Sequence, residues 1–491
     1  MRGEIARKEK EARDKQAEYS VEDIVQQEIS RYRDRLPKEV LEETYKIAEN
    51  DVQSIVLDLS PERHDGKMAK IFDIFYERGI KNAMTVLEGL RDPHLEDDFH
   101  RFLVQYVHKG YDGADINTAS REFRGLSMTL YEINLEEDPG SKEGKRALKE
   151  IISSMEQFLA GMLSVVGPDG TKHHADNYIV LEMASANGES DVVLYAAVPD
   201  AHKTLFETQM LSVFHNARLV ESTSDYNIFN EAGISAGSVM VPQSNPVYQF
   251  KTYEDFDHDP LNALLSAFSK VRRDGEGAAV QLIFAPKGDH YNKKYMYAAE
   301  QIEKGVPVKE AIDMPESFGG ELAKGVLSLF KSVPKAESTE AADAARKAEA
   351  AAAIEKIKKK ASSVIVSANI RLIASAPSRL EAEEILRSLE SSFNQFTDTS
   401  AGGLRPKRLE GGALSRMFRD FSFRSFNPAE NIPLNLKEVS TLIHFQNEGL
   451  LRTPHLRQNS AASAPAPHGL DPAGTLLGTN AYRNVETPVY I

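Results

Sequence analysis

Twice along this chain the same succession can be read, strand, helix, strand, strand, helix, strand, and that repetition constrains the fold more than any other property of the sequence. The first copy opens at Leu126 to Leu135, where apolar residues fall at 126, 128 and 130 and then at 131, 133 and 135, a phase change that predicts a bulge. A helix follows, with Leu148, Ile151, Ile152, Met155, Phe158, Leu159, Met162, Leu163 and Val166 at the helical period. Strands at Tyr178 to Ala184 and Asp191 to Val198 flank Asn187 and Gly188, a hairpin signature. Asp200 is expected to cap a helix bearing Phe206, Met210, Val213 and Phe214, and Ala217 to Glu221 is the closing strand.

In the second copy, Val247 to Thr252 is the expected first strand. Asp259 and Pro260 open a helix with Leu261, Leu264, Leu265, Phe268 and Val271, and Ala278 to Ala285 is the next strand. Its hairpin partner alternates cleanly through Val364, Val366, Ala368, Ile370, Leu372 and Ala374, and a helix then runs from Pro377 and Ser378 to about Asn394. This order is that of a ferredoxin-like unit. The expected fold class is therefore α+β: a helical module at residues 1–124, then two tandem ferredoxin-like (βαββαβ) units at residues 125–222 and 223–400. The second carries a helical insertion at residues 288–362, whose Ala/Lys/Glu-rich last third, Ala336 to Ala361, has little apolar face and predicts an exposed helical projection or a flexible connector.

The flanks are less regular. Ser20 and Asp23 resemble a capping box ahead of Val21, Ile24, Val25, Ile29 and Tyr32. Gly79 should end a helix with Met68, Ile71 and Phe72. A second helix carries Ala83, Val86 and Leu87, and Asp92 and Pro93 start a third with Phe99, Phe102, Leu103 and Tyr106. Residues 401–491 comprise an Arg/Phe-rich segment, a final amphipathic element at Leu436 to Phe445, an Ala/Pro/Ser linker from Asn459 to Gly474, and strand-like sequence to Ile491. Extended backbone at Glu486 to Ile491 needs a partner for its N–H and C=O groups, so the expectation is a strand leading toward a further domain.

Composition removes several functions. With no cysteine and no tryptophan, thiolate catalysis, disulfides and zinc ribbons are excluded. The longest apolar stretches, such as Phe158 to Val166, fall far short of the ~20 residues that span a bilayer, and Arg2 to Lys15 is charged, so a cytoplasmic protein is expected. The net charge of -15 argues against a general nucleic-acid surface. Nowhere do two glycines four residues apart precede Lys and Ser or Thr, and Gly319 to Gly325 fails that test, so no phosphate-binding loop is present.

The candidate sites each have an ordinary explanation. Asp255, Asp257 and Asp259 imitate a calcium loop, but Pro260 takes the glycine position and Ser266 that of the bidentate Glu, which leaves Asp259 as a helix cap. His94, Glu96, Asp97, Asp98 and His100 are the densest ligand-capable cluster, and acidic residues in a first helical turn also complement the helix dipole. His173 and His174 have no third ligand nearby in sequence. Arg416, Arg419 and Arg424 interleave with Phe418, Phe421, Phe423 and Phe426, which suits base stacking or, preferably, an interface with a partner domain. No catalytic residue, cofactor or metal ligand is assigned.

Several stretches resemble the DNA-pumping coupling-protein ATPases of type IV secretion and conjugation, in the divergent form encoded by small-genome uncultured bacteria. The similarity lies in Gly79 to Val107, with Asp92-Pro93-His94-Leu95-Glu96-Asp97-Asp98-Phe99-His100-Arg101-Phe102-Leu103; in Met155-Glu156-Gln157-Phe158-Leu159; in Tyr178 to Phe214; in Asp259-Pro260-Leu261 and its helix; and in Leu477 to Ile491. In such proteins a segment like Leu477 to Ile491 leads into the motor domain and its nucleotide-binding loop. The family's nucleotide and magnesium residues have no counterparts in this sequence, and the membrane helices that often anchor coupling proteins are missing as well. The resemblance implies a non-catalytic assembly and substrate-docking region, with a P-loop ATPase motor as partner in cis or in trans, self-association, and any nucleic-acid contact confined to Arg416, Arg419 and Arg424 with their phenylalanines. The alternative is a stand-alone protein-binding adaptor or scaffold. A third reading is a metal-dependent enzyme built on the acidic helix near His94.

Overall fold

The computed structural model describes residues 64–108, 124–135, 148–164, 178–186, 191–215, 217–222, 225–272, 275–313, 340–398, 402–445, 476–482 and 485–490. The capping box at Ser20 and Asp23, His173 and His174, Asn187 and Gly188, Gly319 to Gly325 and the linker at Asn459 to Gly474 lie outside them. The chain divides into two compact units. One contains α1 (His64–Arg78) and α2 (Ile80–Leu90), separated by Gly79, whose φ of 79° only glycine adopts readily. Met68, Ile71, Ile74, Phe75, Ile80, Ala83, Val86 and Leu87 are among its buried positions, while Phe72, part of the stripe read from the sequence, is only half-buried.

The second unit begins with α3 (Pro93–His108) and is built on β1 (Met128–Leu135), α4 (Leu148–Ser164), β2 (Ile179–Ser185), β3 (Val193–Pro199), α5 (Lys203–Val213), β4 (Ala217–Glu221), β5 (Ile234–Pro242), α6 (Leu261–Phe268) and β6 (Gly277–Ala285). There follow α7 (His290–Glu303), α8 (Val308–Ile312), α9 (Glu340–Lys360), β7 (Ile365–Ala376), α10 (Arg379–Ser392), β8 (Leu404–Arg408), α11 (Gly411–Ser422), β9 (Ile432–Asn435), α12 (Leu436–Leu442), β10 (Leu476–Tyr482) and β11 (Val485–Tyr490). The architecture is α+β. Nine strands form one antiparallel sheet in the order β4-β1-β3-β2-β6-β7-β5-β8, with β9 also on β7. Its midline is the β2–β6 ladder, running from Ile179 opposite Phe284 to Ser185 opposite Ala278.

Both faces of this sheet are covered, which explains why central strands such as β2 and β6 lack a simple alternation. On one face α4, α5, α6, α10 and α12 place Phe158, Phe206, Leu265, Leu386 and Val439 against Leu181, Leu282 and Leu372. On the other, α11 and the segment before β5 place Met417, Phe418, Phe421, Ile228 and Phe229 against Val180, Ile283 and Ile373. At about 25 cal/mol per Å² of apolar surface removed from water, two such layers dominate the favourable side of folding.

The structure departs from several sequence expectations. β1 has a regular register with both neighbours and no bulge. Its phase change reflects burial on both faces, with Leu130 in one layer and Tyr131 in the other. The second copy's first strand is Ile234–Pro242, not Val247 to Thr252. In the latter stretch, side chains take the backbone donors that a ladder would use: Val247 N–H donates to Asn245, Phe250 N–H to Glu438, Thr252 N–H to Asp255 and Tyr253 N–H to Thr441. Asp200 is not a cap. It sits inside a short 3-10 turn and accepts from Thr129 Oγ1 at 2.7 Å. Ser378 does cap α10, accepting from Glu381 N–H. The strand at the C-terminal end finds its backbone partner within the chain, since β11 pairs with β10 from Val485 opposite Tyr482 to Tyr490 opposite Leu476.

The described part of the insertion is helical, and α9 is more than a projection. Ala353 and Ile357 pack with Tyr291, Tyr295, Ala299 and Ile302 of α7 and with Ile365 at the start of β7. Its last residue, Lys360, is buried and donates to the Pro433 carbonyl and to Glu438, which also completes a capping box with Asn435. Earlier on the helix, Arg346, Lys347, Ala348 and Glu349 are exposed.

Candidate functional site: a buried charged row across the sheet

A row of polar side chains crosses the middle of the sheet on the face covered by α11. Register sets Tyr195 opposite Glu182, Glu182 opposite Gln281 across the midline, and Gln281 opposite Arg371. Glu182, Gln281 and Arg371 are fully buried. Isolated charges in such a place would be costly, so each must be matched. Gln281 Nε2 donates to Glu182 Oε1 at 2.7 Å and to the Phe421 carbonyl at 3.0 Å, while its Oε1 accepts from Arg371 at 2.8 Å. Arg371 also donates to the Asp420 and Ser425 carbonyls, at 3.0 and 2.7 Å, so a strand arginine closes the C-terminal end of α11.

The remaining charge comes from the end of α11 itself. Ser425 N–H donates to the Asp420 carbonyl and Arg424 N–H to that of Phe421, the Schellman pattern, with Arg424 in the left-handed position at φ 49°. Glycine is the usual occupant there, and a larger residue costs about 1–2 kcal/mol. Here the strained residue aims a guanidinium inward. Arg424 Nε and Nη2 donate to Glu182 at 3.0–3.2 Å, and Nη1 and Nη2 donate to Asp225 at 2.5 and 2.8 Å. It also lies over the Tyr226 ring, 5.8 Å from its centroid, and Tyr226 stacks on Tyr195 at 4.5 Å. Burial alone would push Asp225 up, but the charge and hydrogen bonds of Arg424 outweigh it and hold the carboxyl below its usual range. Burial likewise opposes the Arg424 charge, and Asp225 and Glu182 overcome it, raising its pKa. Glu430 is half-buried, 3.5 Å from Arg371 Nε, and burial outweighs that cation and raises its carboxyl.

Helix α3 delivers the outer members. His100 is fully buried, its ring edge-on to Phe423 at 4.6 Å and its Nδ1 3.9 Å from Asp225 Oδ2. Burial lowers its pKa to about 3. Asp97, one turn earlier, is raised to about 6, first by burial and then by the Asp225 charge. His94 Nδ1 lies 3.3 Å from Asp98 Oδ2, and Asp98 is also paired with Arg101 and bonded by Asn227. The expected cluster is thus distributed over ion pairs. Among the described residues no group of three or more His, Asp or Glu side chains is placed to hold a metal ion. In the calcium-like stretch, Asp259 accepts from Leu261 N–H and lies 3.1 Å from His444 Nε2, and Asp255 caps a turn with Thr252.

The Arg/Phe segment is split by the fold. Phe418, Phe421, Phe423 and Phe426 are all buried, and Arg424 is in the row just described, while Arg416 is exposed and Arg419 half-buried. Glu182 and Gln281 carried a signal that periodicity hid, a polar residue inside a run that is otherwise largely apolar, whereas Asp225 and Arg371 stand among other polar residues and carried none. Apart from this row there is a surface groove of about 380 Å³ beside α10, lined by Lys270, Arg272, Glu276 and Arg387 among others. Two of its cations are engaged, Arg272 with Glu276 and Glu381 at 2.7 and 3.0 Å and Lys270 with Ser388 at 3.0 Å.

No curated protein matches the chain. A family model described as a domain of unknown function, DUF8128, matches residues 147–457, a span that includes Glu182, Asp225, Gln281, Arg371 and Arg424. Since the match covers well over half of its length, the chain belongs to the DUF8128 family.

Proposed function

We propose that this chain is a non-catalytic assembly and substrate-docking region of a coupling-type DNA translocase, working with a P-loop ATPase motor in cis or in trans. The observation that carries the reading is the buried charged row. Its members bond to one another and to backbone carbonyls across the sheet midline, an arrangement suited to stiffening a platform rather than to turning over a substrate. We read that platform as two ferredoxin-like units side by side. The order β4-β1-β3-β2 and its counterpart β8-β5-β7-β6, each from a βαββαβ succession, support this. The blocks at Asp92 to Leu103 and Leu477 to Ile491 are what suggest the motor as partner. No helix among the described residues is long and apolar enough to cross a membrane, so placement at a membrane face would come through partners.

The test is to add the purified chain to a purified motor encoded beside it and to follow ATPase rate and oligomeric state. A change in either is expected. Unaltered rate, unaltered mass and no detectable binding would sink the proposal.

A further inference from the structure

Helix α3 is packed differently from α4. Where α4 offers Met155, Phe158, Leu159 and Met162 to the sheet, α3 buries Leu95, Phe99 and Leu103 and, beside them, the polar His100 and Asp97, which face the end of α11 and the segment before β5. Neither ring nitrogen of His100 makes a hydrogen bond, and Asp97 Oδ2 accepts none, with Arg101 Nε no closer than 3.6 Å. Burying such atoms unsatisfied costs about 1–3 kcal/mol each, and water would satisfy all three if the helix lifted. The helix also lies outside the 147–457 family span, whereas Asp225 and Arg424 lie inside it.

We propose that α3 is a releasable strap whose seating exchanges a proton within its own pair: in mildly acidic solution the seated helix holds the proton on Asp97 beside a neutral His100, and the lifted helix holds it on His100 beside an Asp97 carboxylate. One O–H bond forms as one N–H bond breaks, with solvent as the carrier, so the charge of the pair is the same in both positions. The groups facing Asp97 are Arg101 on its own helix, Asp225, Ser422 and Arg424; those facing His100 are Asp225, Arg424 and the Phe423 ring. The nearest carboxylate, Asp225, is held by Arg424 with its Oδ2 3.9 Å from His100 Nδ1, beyond hydrogen-bond reach.

The shifts give the exchange its pH window. Seating raises Asp97 to about 6 and lowers His100 to about 3, so from about pH 4 to 6 both positions of the helix bind the same number of protons. Seating is then nearly independent of pH. Each partner removed alone unmasks the other: without Asp97, acid favours the lifted helix, and without His100, acid favours the seated one.

Hydrogen exchange on the full chain, corrected for intrinsic rates, tests this at pH 7 and pH 5 with the amides of α4 as the folding control. In the unsubstituted protein, the opening of residues 93–108 should change by no more than about threefold between the two values. Asp97→Asn should raise opening by more than about tenfold on acidification, and His100→Asn should lower it by about tenfold. If α3 exchanges only together with α4, or if all three proteins follow one pH curve, the proposal is overturned.

Discussion

The two faces of the central sheet are sealed in opposite ways, and the difference separates two kinds of stability. On the α4 side, rings meet rings: Phe158 packs against Phe206, Phe214 and Phe445 at centroid distances of 5.8 to 6.2 Å, with no polar group required. On the α11 side, a chain of hydrogen bonds joins Glu182, Gln281, Arg371, Arg424 and Asp225. The apolar face tolerates any arrangement that fills its volume, within limits. The polar face tolerates one arrangement, because each donor must find its acceptor.

Truncating each face should separate them. Phe158→Ala and Arg424→Ala should each cost about 3–5 kcal/mol in urea unfolding at neutral pH, the first by leaving a cavity and the second by leaving Glu182 and Asp225 without their cation. Their pH profiles should differ in sign. In the intact protein Asp225 is depressed, so its contribution is complete above the unfolded value near 3.9 and is lost as pH falls through the lower folded value. Without Arg424, burial dominates and raises that carboxyl, so Arg424→Ala should gain stability as pH falls from neutral toward 4, whereas Phe158→Ala should keep the parent's profile. Parallel profiles would mean that the row is not the buried network described. A finer division comes from Arg424→Gly, which also removes the guanidinium but relaxes the left-handed backbone, and should be more stable than Arg424→Ala by about 1 kcal/mol. The smallest effect is expected at the rim of the sheet. Lys203→Ala breaks the 2.5 Å pair with Glu221, both partly exposed, and should cost under about 1 kcal/mol, less still at high salt.

Helices whose apolar stripe faces one layer were legible from periodicity, α4 and α10 above all, as were the caps at Ser378 and Asp259. β5 was not, because Ser235, Ala236, Gly237 and Ser238 have little strand propensity, and tertiary packing decides the matter. Gly237 lies so close to α11 that a Cβ would run into the Met417 side chain, a contact no local reading can anticipate. The polar side chains of β7 were hidden for a related reason. Period-2 alternation in β7 assigns Asn369, Arg371 and Ser375 to a solvent face, and only the second layer of helices makes that face interior. Lys360 misled in the same way, a lysine at the end of a polar helix that is buried to reach Glu438.

The midline ladder between β2 and β6 has a consequence for how the chain can be taken apart. Each half of the sheet ends there in a strand whose residues are wholly buried, so either half alone would expose an adhesive edge with Glu182 or Gln281 stranded upon it. A break introduced between Glu221 and Ile234 would therefore yield two fragments that are individually aggregation-prone but mutually templating, a natural split point for complementation in which the reunited pieces report their own encounter.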